Sequence, residues 1–391
     1  MKRVAVLGGG PAGAFAAERL AAAGLSTILL DEKLAWEKPC GGGLTYKAYQ
    51  KYPFLIDNES PKKIVTETLL AAPGAGASKM VLRHPLVIYS RIDLNRMLLE
   101  RAERAGAQIE KARVLSMTPT GGGWRLTTKT GSIEADFCIV ATGARNSLRQ
   151  VGTLWTPHDT MHALGYYVPT EQEHIDIQFL PQLEGYIWAF PRRGHLSVGI
   201  CGKGQAAQAL KTRLQAYMDE RGLRWKEGVF YSHVLPSLTR SSWKNNRVAG
   251  HGWIAVGDAG GLVDPVTGEG LYYAIRSADL ASQVLLSDRH APEGKPAAYK
   301  ALLHHDFAAD LEFGAALARR FFLGTFLIGG VPKRMVQFIR RSPRFRELMQ
   351  DLFAGTQPYL QLKARLLRNL HGTLLDTVLS FLISRVLPNE G

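Results

Sequence analysis

Four groups of residues have types and spacings that chemistry can use. The first is Gly8-x-Gly10-x-x-Gly13, with Pro11 and Ala12 inside it, directly after the apolar run 3–7. Gly8 allows a tight turn, Gly10 lets the backbone approach a pyrophosphate, and Gly13 permits close helix–strand packing. Amides at the start of the following helix then face an anion, aided by the helix dipole. Asp31, eighteen residues past Gly13, ends the next apolar run and can accept hydrogen bonds from a ribose diol. Glu32 is the neighbouring second choice. Strand, helix, strand and acid together point to a dinucleotide site; the plainer alternative is a glycine-rich structural turn.

The second group repeats that logic. Gly257-Asp258 follows the apolar run 254–256, and Gly268-Glu269-Gly270-Leu271 leads into a helical stretch. A carboxylate at a strand end can bind a polyol hydroxyl, and glycines before a helix aim N–H groups at an acceptor. The third group is Lys38-Pro39-Cys40-Gly41-Gly42-Gly43, an open backbone that a flat ring can approach. Cys40 there is a cofactor contact, a redox or acid group, or a small packed residue. The fourth is Tyr186-x-Trp188-x-Phe190-Pro191. Period-two spacing puts its three aromatic rings on one face of a strand. Pattern alone makes that face a sheet core.

The elements that position these groups alternate. Residues 3–7 and 26–30 read as buried strands around a helix at 11–23 that Gly24 ends. A helix follows at 92–105, then strands near 108–117, 124–128 and 137–141. Alternating strands at 163–168, 175–179, 186–190 and 196–200 predict an antiparallel sheet, followed by a helix over 205–220. A buried strand returns at 253–256, and beyond 290 the chain reads as helical. The expected fold class is α/β. A Rossmann-like dinucleotide-binding domain (1–152 and 245–290, with a small substrate-side excursion near 60–83) carries an inserted antiparallel β-sheet substrate domain at 153–244. A helical C-terminal region covers 291–391.

Composition narrows the partners. Over 391 residues, 46% hydrophobic and 21% charged residues exclude a disordered chain. Lys and Arg number 48 against 34 acidic residues, so the +14 charge favours an anionic partner. Residues 319–346 hold eight Lys or Arg and no acid, interleaved with Phe321, Phe322, Phe326 and Phe338. That stretch is either a solvated face or a contact for an anionic membrane surface; nucleic acid is not an expected partner. The longest apolar run, 321–331, falls short of the ~20 residues that cross a bilayer. The amino terminus lacks a signal peptide's apolar stretch and cleavage site, and three cysteines make no disulfide framework. A reducing, cytoplasmic location is expected, with peripheral membrane contact at most. His304, His305 and Asp306 lack further ligands at metal spacing, so no metal is expected.

Gly8 to Gly13, Asp31, Arg91 with Leu94, and GDAGGLVDPVTGEGL (257–271) resemble the family of FAD-dependent enzymes that includes aromatic hydroxylases, flavin halogenases and geranylgeranyl reductases. The resemblance implies FAD rather than NAD. It implies that Asp258 binds the ribityl chain and that the amides at Gly270 and Leu271, beyond Gly268, face the flavin N1 and O2. It also places Arg91 near the phosphate or ribityl part, Val114 near the adenine, and Cys40, Gly41 and Gly42 beside the isoalloxazine. Asn95 stands where the family often has Asp. The YxWxFP strand is similar to that of geranylgeranyl reductases, which implies that Tyr186, Trp188 and Phe190 border a substrate cavity; halogenases usually show WxWxIP. FAGTQPYLQLKARLL (353–367) also resembles the reductase tail.

The resemblance implies an FAD-dependent reductase that saturates C=C bonds of an isoprenoid or lipid-like substrate by hydride transfer from flavin N5. The electron donor would be NAD(P)H, ferredoxin or another flavoprotein. An FAD monooxygenase or halogenase working through a flavin hydroperoxide is the alternative, and a non-catalytic electron-transfer flavoprotein is another. No proton donor is assigned; Cys40 and Tyr186 are the candidates for a catalytic role.

Overall fold

Residues 3–148, 151–153, 155–326, 329–362 and 364–366 are described by the computed structural model. Its first sheet has six strands, in the order Ala249–Gly250, Trp253–Ala255, Phe137–Val140, Arg3–Leu7, Ser26–Leu30 and Gln108–Glu110. All neighbours run parallel except the first pair. Val4–Leu7 are at most 1% exposed, as expected of a parallel strand covered on both faces. Helix Pro11–Ala22 packs on one face beside helices Arg91–Arg104 and Leu271–Leu286. Pro11 starts the first of these helices, where its missing N–H costs nothing, and Gly24 turns the chain beyond it at φ +82°.

The second sheet has eight strands: Val229–Pro236, Thr160–Val168, His195–Lys203, Gly185–Arg192, Ile175–Phe179, Lys62–Ala72, Gly76–Tyr89 and Gly43–Leu44. The sequence predicts an antiparallel sheet within 153–244 and a substrate-side excursion near 60–83. The structure adds the hairpin 62–89 to it, and Lys62–Ala72 pairs parallel with Ile175–Phe179. Alternating burial identifies a strand's faces but says nothing about its partner. A separate three-stranded meander, Ser116–Thr120, Gly123–Thr127 and Ser132–Ala135, lies beside the first sheet.

Alternate residues of the second sheet serve different layers. Ile187, Ala189, Val198 and Ile200 pack under helix Ala207–Glu220. Trp188, Cys201, Ile177 and Phe179 face the other way, toward the carboxyl-terminal helices Ala309–Leu323, Val331–Arg341 and Pro343–Ala354. Met335, Val336 and Ile339 close that layer, each at most 4% exposed.

The basic stretch is therefore not one aromatic surface. Phe322 and Phe338 are buried, and Phe321 packs on Phe179 with ring centroids 5.9 Å apart; Phe326 alone of the four is exposed. Arg340 donates to the Ala75 carbonyl, and Arg346 Nε donates to the Ile339 carbonyl at 3.1 Å. Among the described residues, no helix is long and apolar enough to cross a membrane, and no cluster of side chains could hold a metal. Residues 367–391 of the predicted helical region lie outside the described residues.

Candidate active site

The glycine motif forms a turn that side chains would destroy. Gly8 has φ +117°, and a Cβ there would lie 2.3 Å from the Ala141 carbonyl oxygen; at Gly13 it would lie 1.8 Å from that of Gly8. A Cβ at Gly10, by contrast, would meet nothing within 4 Å, because that position faces an open cleft. The cleft, about 190 Å³, is lined by Gly10, Pro11, Ala12, Asp31, Arg91 and Asp258 among others. Asp31 is busier than a simple ribose acceptor. Its Oδ2 accepts the Gly9 N–H at 2.7 Å, and its Oδ1 accepts those of Lys33 and Leu34 at 2.7 and 2.6 Å. It ties the glycine turn to the loop after the second strand. Glu32 is outside the cleft lining and lies 3.5 Å from Arg113, and Val114 is buried in the core beside Ile28 and Leu30.

Two cations and a histidine surround Asp258. Lys38 Nζ lies 2.9 Å from its Oδ2. Burial works against the carboxylate, yet Lys38, His233 and Arg91 together hold its pKa below the usual range. Arg91 is 3% exposed; one guanidinium nitrogen donates to Asn95 Oδ1 at 3.3 Å, and its Nε has no partner. His233 Nε2 is also buried without a partner, and burial, reinforced by Lys38, pushes the ring's pKa down to about 4. Buried polar atoms left open in this way are unfavourable unless a ligand meets them.

Loop 37–43 separates this cleft from a second space. Arg192, with a fully buried side chain, donates to Glu37 and to the Cys40 carbonyl, which also accepts from Ser197 Oγ at 3.2 Å. Glu37 in turn accepts the Arg91 N–H at 2.9 Å, capping helix Arg91–Arg104. Cys40 Sγ takes the Gly42 N–H at 3.3 Å. A flat ring does lie against the glycine run, and among the described residues it is Phe190: Cβ atoms at Gly41 and Gly43 would sit 3.3 and 2.9 Å from it. Gly42, at φ +84°, approaches the Tyr89 carbonyl too closely for any side chain.

The second space is an apolar cavity of about 760 Å³. Tyr186, Trp188 and Phe190 line it, so the aromatic face is both core and cavity wall; opposite stand Phe321, Met335 and Phe353. Gly199 leaves room for the Trp188 ring, which a Cβ would reach at 2.3 Å. The two spaces meet at Cys40, Gly268, Gly270 and Leu271, which line both. Two long-range contacts hold this junction. The Tyr186 hydroxyl donates to the Thr267 carbonyl, and the Tyr359 hydroxyl donates to Asp264, 2.9 Å from both its oxygens. Glu269 lines only the cavity, and its Oε1 caps helix Leu271–Leu286 through the Tyr272 N–H at 2.8 Å.

Sequence reasoning missed Glu37, Lys38, His233, Arg192, Tyr359 and the side chain of Glu269. Lys38 and Glu269 stood inside motifs read for their glycines and cysteine. The others meet the site only through pairings across the chain, such as 155 residues between Glu37 and Arg192.

The profile of the FAD dependent oxidoreductase family matches residues 81–276, half of the chain. The chain belongs to that family. FAD is its cofactor, and it is an FAD-dependent oxidoreductase. The geranylgeranyl diphosphate reductase of Arabidopsis thaliana chloroplasts is 28% identical over 319 residues, 73% of this chain. The chain spans 65% of that relative's length. Digeranylgeranylglycerophospholipid reductase 2 of Methanothermobacter thermautotrophicus is 29% identical over 314 residues, 72% of this chain and 77% of that protein. Among solved structures, a geranylgeranyl bacteriochlorophyll reductase-like protein of Thermoplasma acidophilum has a TM-score of 0.77 at 22% identity, covering 94% of this chain and 99% of that one. The flavin-dependent brominase Bmp2 has 0.68 at 17% identity, covering 90% and 93%. These two likenesses show the fold.

The residues present suit FAD. The glycine turn before helix Pro11–Ala22 leaves an open face at Gly10, the unpartnered Arg91 Nε suits an anion, and the carboxylate of Asp258 suits a polyol.

Proposed function

We propose that this oxidoreductase saturates carbon–carbon double bonds of an isoprenoid or other lipid-like chain. One observation carries the reading: the apolar cavity opens onto the cofactor cleft at Cys40 and Gly268–Leu271. A long hydrocarbon has room there, and its polar competitors have few partners on the walls. The reductase names of the relatives support the same substrate class.

In this reading Gly10, Pro11, Ala12 and Gly13 hold the pyrophosphate and Arg91 adds a cation to it. Asp258 takes ribityl hydroxyls, and Gly268, Gly270 and Leu271 present the positive end of helix Leu271–Leu286 to the flavin ring. Asp31 serves the adenosine side mainly by fixing the glycine turn. Reduced FAD supplies a hydride. The chain's own part is to press an unpolarised alkene against the ring between Tyr186, Trp188 and Phe190 and to exclude water. Residues 1–152 and 245–290 would form the cofactor unit, with the hairpin 62–89 given over to the second sheet. NAD(P)H, ferredoxin or another flavoprotein would reduce the cofactor, and the exposed cations of 319–346 offer anionic lipid a place to rest.

The test is anaerobic incubation of chemically reduced holoenzyme with geranylgeranyl diphosphate and with a lipid extract, followed by mass spectrometry. A gain of two hydrogens per turnover is expected. Products formed only with oxygen would assign the protein to the oxygenases, and reoxidation without any changed lipid would make it an electron carrier.

A further inference from the structure

We propose that Glu269 is the acid that protonates the substrate carbon during double-bond reduction, an inference that rests on the reductase reading above. Its position is the first argument. Gly268 and Gly270 on either side line both the cofactor cleft and the cavity, whereas Glu269 lines only the cavity. The residue thus turns its side chain to the substrate from the strand of backbone that borders the flavin site.

Elimination is the second argument. Four carboxyl side chains line the cavity: Asp264, Glu269, Asp306 and Asp310. Asp264 accepts from the Val266 and Thr267 amides at 2.8 and 3.0 Å and from the Tyr359 hydroxyl. Asp306 is paired with Arg276, whose Nε lies 3.0 Å from its Oδ1. Asp310 accepts the Tyr359 and Leu360 amides, one on each oxygen, at 3.1 and 2.8 Å. Glu269 is held through one oxygen by Tyr272, and its other oxygen has no protein partner among the described residues. The earlier candidates are weaker. Tyr186 has its proton on the Thr267 carbonyl, and Cys40 Sγ accepts from Gly42.

Electrostatics agrees with the geometry. Burial, with like charge from Asp264, pushes Glu269 up to about 7, against the Tyr272 amide and the Lys47 ammonium. Lys47 comes from helix Tyr46–Lys51 and stands 4.5 Å from the centre of the Tyr272 ring. Tyr273 of helix Leu271–Leu286, with Tyr186, Tyr359, Asp306, Asp310 and Arg320, lines the same cavity. A carboxyl in this setting keeps its proton near neutrality and can give it up to a developing carbanion-like carbon.

The step balances. One C–H bond forms with the hydride from the reduced cofactor and the other with the Glu269 proton, while the alkene π bond breaks. The cofactor is left oxidised by two electrons and Glu269 is left as a carboxylate, which regains a proton from solvent.

The experiment mixes reduced holoenzyme anaerobically with geranylgeranyl diphosphate and follows flavin reoxidation and product mass in one turnover. Glu269→Gln should slow the reaction by about 100-fold or more, the range of general acid catalysis, with FAD content and visible spectrum unchanged. Glu269→Asp should recover part of the rate. The wild-type rate should fall as pH rises through about 7, and the Gln variant should lack that limb. Independently of turnover, infrared titration without substrate should show a protonated carboxyl band lost near that pH in the wild type and missing in Glu269→Gln. A Gln variant within a few-fold of wild type, or the lack of that band in the wild type, overturns the assignment. Wild-type enzyme that leaves the alkene unchanged overturns the reductase reading along with it, whereas active wild type with an equally active Gln variant removes Glu269 alone.

Discussion

The cofactor cleft and the apolar cavity share a border but are made of different material. The cleft leans on backbone: Gly8, Gly10 and Gly13 matter for the atoms they lack, and Asp31, Lys38, Arg91, His233 and Asp258 give it charge among apolar residues such as Val256 and Leu271. The cavity is built from side chains contributed by strands 62–89 and 160–236 and by three helices beyond residue 308. Backbone-made sites tolerate almost no substitution at their glycines, while a side-chain wall loses stability and shape by degrees. The same contrast predicts that damage on one side need not cross to the other.

The largest effect should come from Gly13→Val. Its Cβ would stand 1.8 Å from the Gly8 carbonyl oxygen, which is backbone and cannot step aside. Loss of FAD loading is expected, read as flavin absorbance per folded protein. Trp188→Ala should cost about 3–5 kcal/mol, as for other large aromatic truncations, yet the folded fraction should remain yellow. Urea unfolding and flavin content would separate the two, and a colourless folded variant would break the comparison.

Asp258→Asn comes next. Replacing a carboxylate beside Lys38 removes a charge-assisted contact worth about 1.5–3 kcal/mol, so FAD should bind roughly ten- to a hundredfold more weakly. Fluorescence titration of apoprotein checks this. His233 gives a gentler, pH-dependent effect. Its folded pKa of about 4 lies below the unfolded 6.5, so the unfolded chain binds more protons between these values. Apoprotein stability should therefore rise from pH 4 to about 6.5 and level off above, and His233→Gln should flatten that slope in urea midpoints. The smallest change expected is Tyr359→Phe, about 1 kcal/mol, because the Val266 and Thr267 amides still serve Asp264. A thermal melt would register it with flavin binding intact.

Legibility in the sequence follows the same division. Gly8 to Gly13 and Asp258 were readable because a turn and a strand end are local geometry. Asp31 is legible as an acid at a strand end, but its hold on the Gly9, Lys33 and Leu34 amides is a network that residue type alone does not show. Period-two spacing put Tyr186, Trp188 and Phe190 on one face, yet the parallel partner of Ile175–Phe179 comes from residues 62–72. Alternation carries no address for a partner a hundred residues away. Lys38 meets Asp258 across 220 residues, and Arg192 meets Glu37 across 155. Glu269 stood in a quoted motif, but only its distance from competing donors marks it out.

The order of strands in the first sheet also fixes an order of construction. Arg3–Leu7 is synthesised first, yet its neighbour Phe137–Val140 and the strand beyond, Trp253–Ala255, emerge much later. The ribosome must pass residue 255 before the sheet can close. Helix Pro343–Ala354 and Tyr359, which wall the cavity, emerge later still. At translation rates of about 5–20 residues per second, a flavin could settle into its finished cleft while the lipid chamber still lacks one wall.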